Sequence, residues 1–362
     1  MKFPLYIKVS LISTGLAAFI ALLFVTQRII VPVICATIIA IVLSPVVNFF
    51  VKRKINRIIS ITITIVLVLS FAGSIILFLC AQGGKLSQSF PVLIDKFYLL
   101  LDQSIIWMSN KFNIRPDKLN NWLFNLKSEI INESSSAIGQ TLIYTGSALV
   151  ILVLIPVYIF MILYYQPLLL EFIHRLFKSE RHRELNEVLG TIQKIIKNYL
   201  VGLLLEAIII ATLNSLSLLL LGIEYAILLG VTGAILNIIP FIGGILAVSL
   251  PFLLALATKP SFYYGFMVLV SYIIIQFIDN HYIIPKIVAS KVKINALVSV
   301  IVVLAGSALW GIPGMLLSIP LTAIIKVVFD HIEGLKSWGF LLGDTMPDVM
   351  RTKIKLKGTT NK

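Results

Sequence analysis

Apolar runs long enough to cross a bilayer recur along the chain: Ser10–Gln27, Ile29–Phe50, Ile58–Gly83, Gln140–Tyr165 and Tyr199–Leu221, the last interrupted by Glu206. A spanning helix needs about 20 mostly apolar residues, so each run predicts one. Two longer stretches differ. Tyr225–Thr258 carries no charge, yet its middle is Asn237-Ile238-Ile239-Pro240-Phe241-Ile242-Gly243-Gly244. Ile294–Ile325 breaks in the same way at Gly311-Ile312-Pro313-Gly314-Met315. As one straight helix Tyr225–Thr258 would be roughly 50 Å long, against a hydrocarbon core of about 30 Å. It is also short for two full crossings and a turn. Re-entrant hairpins are predicted, with tips at Asn237–Gly244 and Gly311–Met315. Non-helical backbone at membrane depth needs protein or a wet cavity to satisfy it, which is how discontinuous helices build transporter sites. The expected fold class is an all-α, polytopic integral membrane protein of about eight membrane segments, two of them broken or re-entrant helical hairpins.

Polar positions set the topology. Lys52, Arg53, Lys54 and Arg57 form the densest short basic loop, which places the second-to-third connection and the N-terminus in the cytoplasm. No convincing small-residue cleavage site precedes Gln27-Arg28, so the first run is expected to be an uncleaved span. The third span then delivers Lys85–Ser136 outside. Within it Leu119, Trp122, Leu123, Leu126 and Ile130 fall at helical spacing, and Pro91 and Pro116 stand where helices could begin. After the fourth span, Leu185, Val188, Leu189, Ile192 and Ile196 mark a cytoplasmic amphipathic helix that Ser179 could cap. If that helix continues through Tyr199, the first hairpin enters from outside and the second from inside. Gly244–Pro251 and Gly314–Pro320 echo one another faintly, as inverted repeats would.

The resulting organisation is N-terminal spans over 1–84, an extracytoplasmic helical insert over 85–136 and the fourth span over 137–170. A cytoplasmic amphipathic helix follows over 171–198, then a C-terminal core over 199–335 and a basic cytoplasmic tail over 336–362.

Composition agrees with this picture. The chain is 59% hydrophobic and 13% charged, too apolar for a soluble domain. Its net charge of +14 gathers in short loops beside apolar spans, which favours membrane orientation and lipid contact over nucleic acid. Cys35 and Cys80 support neither a disulfide framework nor a metal cluster. The sequence has no phosphate loop, no His-Glu-x-x-His and no Gly-x-Ser-x-Gly elbow. No catalytic residue, metal or cofactor is therefore expected, and transport would be secondary.

The matching order of Asn237–Gly244, Gln276-Phe-Ile-Asp-Asn280 with Pro285, and Gly311–Met315 resembles the autoinducer-2 exporter family, the PerM-like permeases. The resemblance is closest from about Tyr199 to His331, and before that it is one of layout. It implies a bacterial inner-membrane permease that assembles as a homo-oligomer. Members are associated with export of autoinducer-2, and some with sodium or proton antiport. Where the family often places an Arg-Gly-Gln-like patch, this chain has Val201-Gly202-Leu203 with Glu206 one turn on.

Candidate site residues follow from both lines of reasoning. Gln276 and Asp279, three apart, share a helical face, and with Asn280 and His281 they are placed to bind a small polar solute or a monovalent cation. A polar helix end, with Asp279 paired to Lys286 or Lys291, is the alternative. Glu206 is either a proton-coupled group or a carboxylate reaching the membrane edge. Asn237 would contact cargo. Pro240, Gly243, Gly244, Pro285, Gly311, Pro313 and Gly314 would shape the backbone of the site, or simply kink helices. The expected function is a permease; a monovalent cation/proton antiporter and a non-transporting scaffold acting through the insert are the alternatives.

Overall fold

The computed structural model describes residues 4–112, 153–240, 242–288 and 292–345. The chain begins with α1 (Leu5–Val25), α2 (Gln27–Lys52) and α3 (Arg57–Phe112). Next come α4 (Val153–Leu176) and α5 (His182–Leu220). The C-terminal part holds α6 (Ala226–Asn237), α7 (Gly243–Thr258), α8 (Phe262–Ile278), α9 (Ala296–His331) and α10 (Lys336–Leu342). Among the described residues, seven helical segments are long and apolar enough to cross a membrane, with α6 and α7 as shorter apolar helices beside them. The protein is an all-α polytopic membrane protein.

Helices α2, α3 and α4 pack through small and branched side chains. Ala36, Ala40, Leu43 and Val47 of α2 bury against Ile61 of α3 and Ile159 and Leu163 of α4. A polar clasp closes this group at its basic end. Arg57 donates to the Leu163 carbonyl over 2.7 Å and to Gln166 over 3.2 Å. Ile38 of α2, Ile196 of α5 and Leu317 of α9 then join the N-terminal helices to the C-terminal core.

Helix α5 organises that core. Its 39 residues form one unbroken helix, about 58 Å long at 1.5 Å per residue, so its basic first half projects beyond the lipid. Helix α6 runs back along its second half, with Gly230 against Ser215 and Gly233 against Asn214. The first hairpin, α6 and α7, has limbs of 12 and 16 residues, about 18 and 24 Å, both short of a full crossing.

The second hairpin lies hidden inside α9. At Gly311 the backbone turns to φ 64, ψ −140, a conformation open to glycine alone. Asn295, which precedes α9, bonds to Leu341, Leu342 and Gly343 beyond its far end. A straight 36-residue helix would part those ends by about 54 Å, so the two limbs must fold back. Gly314 accordingly packs on Gly306. The base of this hairpin, around Val292 and Ile294, packs near Tyr199. The base of the first lies beyond Leu220, at the opposite end of α5. The two hairpins are opposed.

Two sequence expectations fail. No helix begins at Pro91, because α3 runs through it as one helix. A proline keeps a helical φ and forfeits one hydrogen bond, which the turns on either side tolerate. Ser179 does not cap α5, whose N-cap Arg181 makes no side-chain cap bond. The turn there is held instead by His182, whose Nε2 lies 2.9 Å from the His174 carbonyl and 3.1 Å from that of Phe177. Pro116, the amphipathic stretch Leu119–Ile130 and the start of the Gln140–Tyr165 run lie outside the described residues.

Candidate functional site

Helix α8 does not stop cleanly. Beyond Ile278 it widens into a π-helical segment, Asp279–Val288, with Pro285 inside it. In a regular α-helix the Pro285 ring would meet the carbonyl of His281, and the wider winding relieves that clash. Asp279 itself keeps the register of α8, its N–H still bonded to the Ile275 carbonyl, and stands where the two windings join. Asp279 is completely buried.

The first hairpin's tip meets it there. Asn237, the last residue of α6, donates from Nδ2 to Asp279 Oδ2 over 2.9 Å. The other carboxyl oxygen, Oδ1, is buried with no partner. Gln276 lies against the glycine that opens the returning limb: a methyl group on Gly244 would sit 2.7 Å from Gln276 Oε1. A side chain on Gly243 would overlap the Leu236 carbonyl, so the tip is tight because glycine stands there.

These groups line one cavity of about 760 Å³ between the tip of the first hairpin and the end of α8. Asn237, Gln276, Asp279 and Asn280 supply its polar wall, and Pro240 and Gly244 its tip. Ile245, Val248, Leu269 and Ile273 supply much of the apolar remainder. A few convergent polar groups in a mostly apolar hollow of this size are the usual form of a small-molecule site. Carboxylate and carboxamides together accept and donate, which suits hydroxyl-bearing or cationic cargo.

Other candidate residues are placed differently. Glu206 is 6% exposed and lies within electrostatic reach of Asp279, though it does not line the cavity. His281 is exposed and turned to Phe277, with its ring 4.2 Å from that ring and Nδ1 3.0 Å from the Phe277 carbonyl. Gly311, Pro313 and Gly314 are not among the lining residues. The neighbouring Trp310 instead donates to the Leu23 carbonyl of α1 over 3.1 Å. The Asp279 carboxylate takes its hydrogen bond from Asn237, and Lys291 lies outside the described residues. Among the described residues no group of His, Cys, Asp and Glu is arranged to hold a metal.

Two buried polar residues escaped the reading of the sequence. The Tyr272 hydroxyl is buried without a partner, and the residue lines the cavity one turn before Gln276. Asn214 is 2% exposed with an unpartnered Oδ1, two turns along α5 from Glu206 on the same face. Helical spacing from Gln276 and Glu206 was the signal for both.

The arrangement has relatives. A protein of Haemophilus influenzae that bears a transport-protein name is 28% identical over 357 residues, covering 91% of this chain and 95% of that one. YueF of Bacillus subtilis, also named for transport, is 25% identical over 90% of this chain and 88% of its own. The AI-2 transport protein TqsA of Escherichia coli is 25% identical over 332 residues, covering 88% of this chain and 90% of TqsA. The model of the AI-2E family transporters matches residues 14–334, a span that takes in both hairpins, the π segment and the cavity at the tip of the first hairpin, and the chain belongs to that family of membrane transport proteins.

Proposed function

We propose that this permease moves a small polar solute across the bacterial inner membrane as a secondary transporter, and that the cavity between the first hairpin and α8 is where the solute binds. The single observation that carries this reading is Asp279 Oδ1, buried and unpartnered beside a hollow lined by Asn237, Gln276 and Asn280. An unsatisfied buried acceptor is costly, and a donor brought in by cargo would satisfy it. A neutral solute rich in hydroxyl groups fits this wall best. Autoinducer-2, the cargo in the name of TqsA, is the first solute to try.

In this reading Asn237, Gln276, Asp279 and Asn280 contact the solute, and Glu206 serves as a proton-coupled neighbour. Pro240, Gly243, Gly244 and Pro285 shape the site, and Gly311, Pro313 and Gly314 allow the second hairpin to fold. The core over 199–335 moves against a scaffold of N-terminal spans, with both termini cytoplasmic and copies of the chain assembled as a homo-oligomer. Cation/proton antiport and a scaffolding role are not what the relatives' names favour.

The test is solute flux from proteoliposomes loaded with autoinducer-2. Asp279→Asn and Gln276→Ala should each slow efflux by about tenfold, on the order of one lost hydrogen bond to cargo. Wild-type efflux no faster than from empty liposomes, or both variants matching wild type, sinks the assignment.

A further inference from the structure

A second polar hollow, of about 750 Å³, lies away from the solute cavity, between the end of α2 and the basic first half of α5. Lys52 enters it from α2, and Lys194 and Lys197 from successive turns of α5. None of the three forms an ion pair among the described residues, and no carboxylate lines the hollow. Asn48, Gln193 and Asn198 add carboxamide groups to the same wall. A fourth cation stands at the rim: the Arg53 guanidinium lies 4.3 Å over the ring of Phe49, itself a lining residue. Three lysines lining one hollow that holds no carboxylate make it electropositive and favour an anion there.

The rest of the wall says what kind of anion. Ile41, Pro45 and Phe49 form an apolar floor. Beside it Val46 and Phe49 present exposed apolar surface on one side of α2. Pro45 has no N–H, so the Ile41 carbonyl lacks its helical donor and offers an acceptor to a hydroxyl or an amine. A soluble anion needs no apolar floor, whereas a phospholipid does: phosphate among the lysines, acyl chains along α2. The hollow also opens at the end of the helices that carries Arg53, Lys54 and Arg57, the charge bias of a cytoplasmic face. We infer that this α2–α5 hollow is a binding site for the phosphate headgroup of an anionic phospholipid. Basic pockets between membrane helices on that face are suited to such headgroups.

The experiment uses the full chain in detergent, titrated with dioleoyl phosphatidylglycerol or dioleoyl phosphatidylcholine and read by native mass spectrometry. Phosphatidylglycerol should bind roughly tenfold tighter than phosphatidylcholine. Each lysine near a headgroup changes affinity about fivefold, so K194Q/K197Q should weaken phosphatidylglycerol by about 25-fold and leave phosphatidylcholine unchanged. The charge-preserving K194R/K197R should hold the lipid, and K259Q/K336Q, with equal charge removed elsewhere, should behave as wild type. If the glutamine pair fails to fold, Lys52→Gln alone gives the same reading at about fivefold. Equal binding of both lipids, or a glutamine variant that retains phosphatidylglycerol fully, overturns the inference. Displacement of the lipid by an equal concentration of glycerol phosphate would mark a soluble-anion site and overturn it too.

Discussion

Removing the Asn237 carboxamide should loosen the first hairpin from the end of α8. Its 2.9 Å hydrogen bond to Asp279 joins residues 42 apart in the chain, and the carboxyl it serves is completely buried with its second oxygen already unpartnered. A hydrogen bond is worth about 0.5–1.5 kcal/mol net, and a buried partner left alone adds a desolvation cost of about 1–3 kcal/mol. Asn237→Ala is therefore expected to destabilise the fold by about 2–3 kcal/mol. Asp279→Ala should cost less, because Asn237 is only half-buried and can turn its amide to water. With both changed there is no stranded group, so the double variant should be more stable than the sum of the singles predicts. The coupling energy should reach about 1.5–3 kcal/mol. Reversible unfolding in mixed micelles titrated with dodecyl sulfate, followed by helical circular dichroism, measures all three variants. A coupling within about 0.5 kcal/mol of zero, the range of independent sites, would show that this contact does not tie the hairpin to α8.

Three further outcomes are expected. Gly311→Ala meets open space, since nothing lies within 4 Å of the added methyl. Its whole effect is conformational, about 1–3 kcal/mol of lost stability, and an unchanged unfolding midpoint would contradict the fold-back at that residue. Gly202→Ala places a methyl 2.7 Å from the Ile287 carbonyl, a backbone atom that cannot swing aside. It should lower stability by about 1–3 kcal/mol and slow solute flux, and normal flux at normal stability would refute the close packing of α5 on the π segment. Trp310→Phe removes the donor to Leu23 and should cost about 1 kcal/mol in the same unfolding titration while leaving flux unchanged. A large flux defect would show that α1 takes part in transport.

Much of this architecture was legible because it rests on local chemistry. Pro240, Gly243 and Gly244 interrupt an uncharged run, and Gly311 interrupts another; each marks where a helix cannot continue unchanged, and each proves to be a hairpin tip. The faint echo of Gly244–Pro251 in Gly314–Pro320 has a structural counterpart, since both stretches form the returning limb and both end on a buried proline. Pairing was not legible. Nothing in the spacing of Asn237 and Asp279 announces their contact, and the π segment that begins at Asp279 accommodates a proline six residues later. The shared helical face assigned to Gln276 and Asp279 is present, since Asp279 keeps its bond to the Ile275 carbonyl and both residues line the cavity. The sequence also treated the two hairpin tips as one site, whereas only the first reaches the cavity; the second stands against α1.

The clamp at Asn295 has a mechanical consequence. Its backbone N–H and its amide grip the chain at Leu341–Gly343, while its side-chain oxygen caps the helix it precedes through Val298. Root and exit of the second hairpin are thus knotted together, with the free bend far away at Gly311. Such a loop works as a lever on a fixed fulcrum. It can tilt as one piece, but its limbs cannot slide past each other unless α10 comes along.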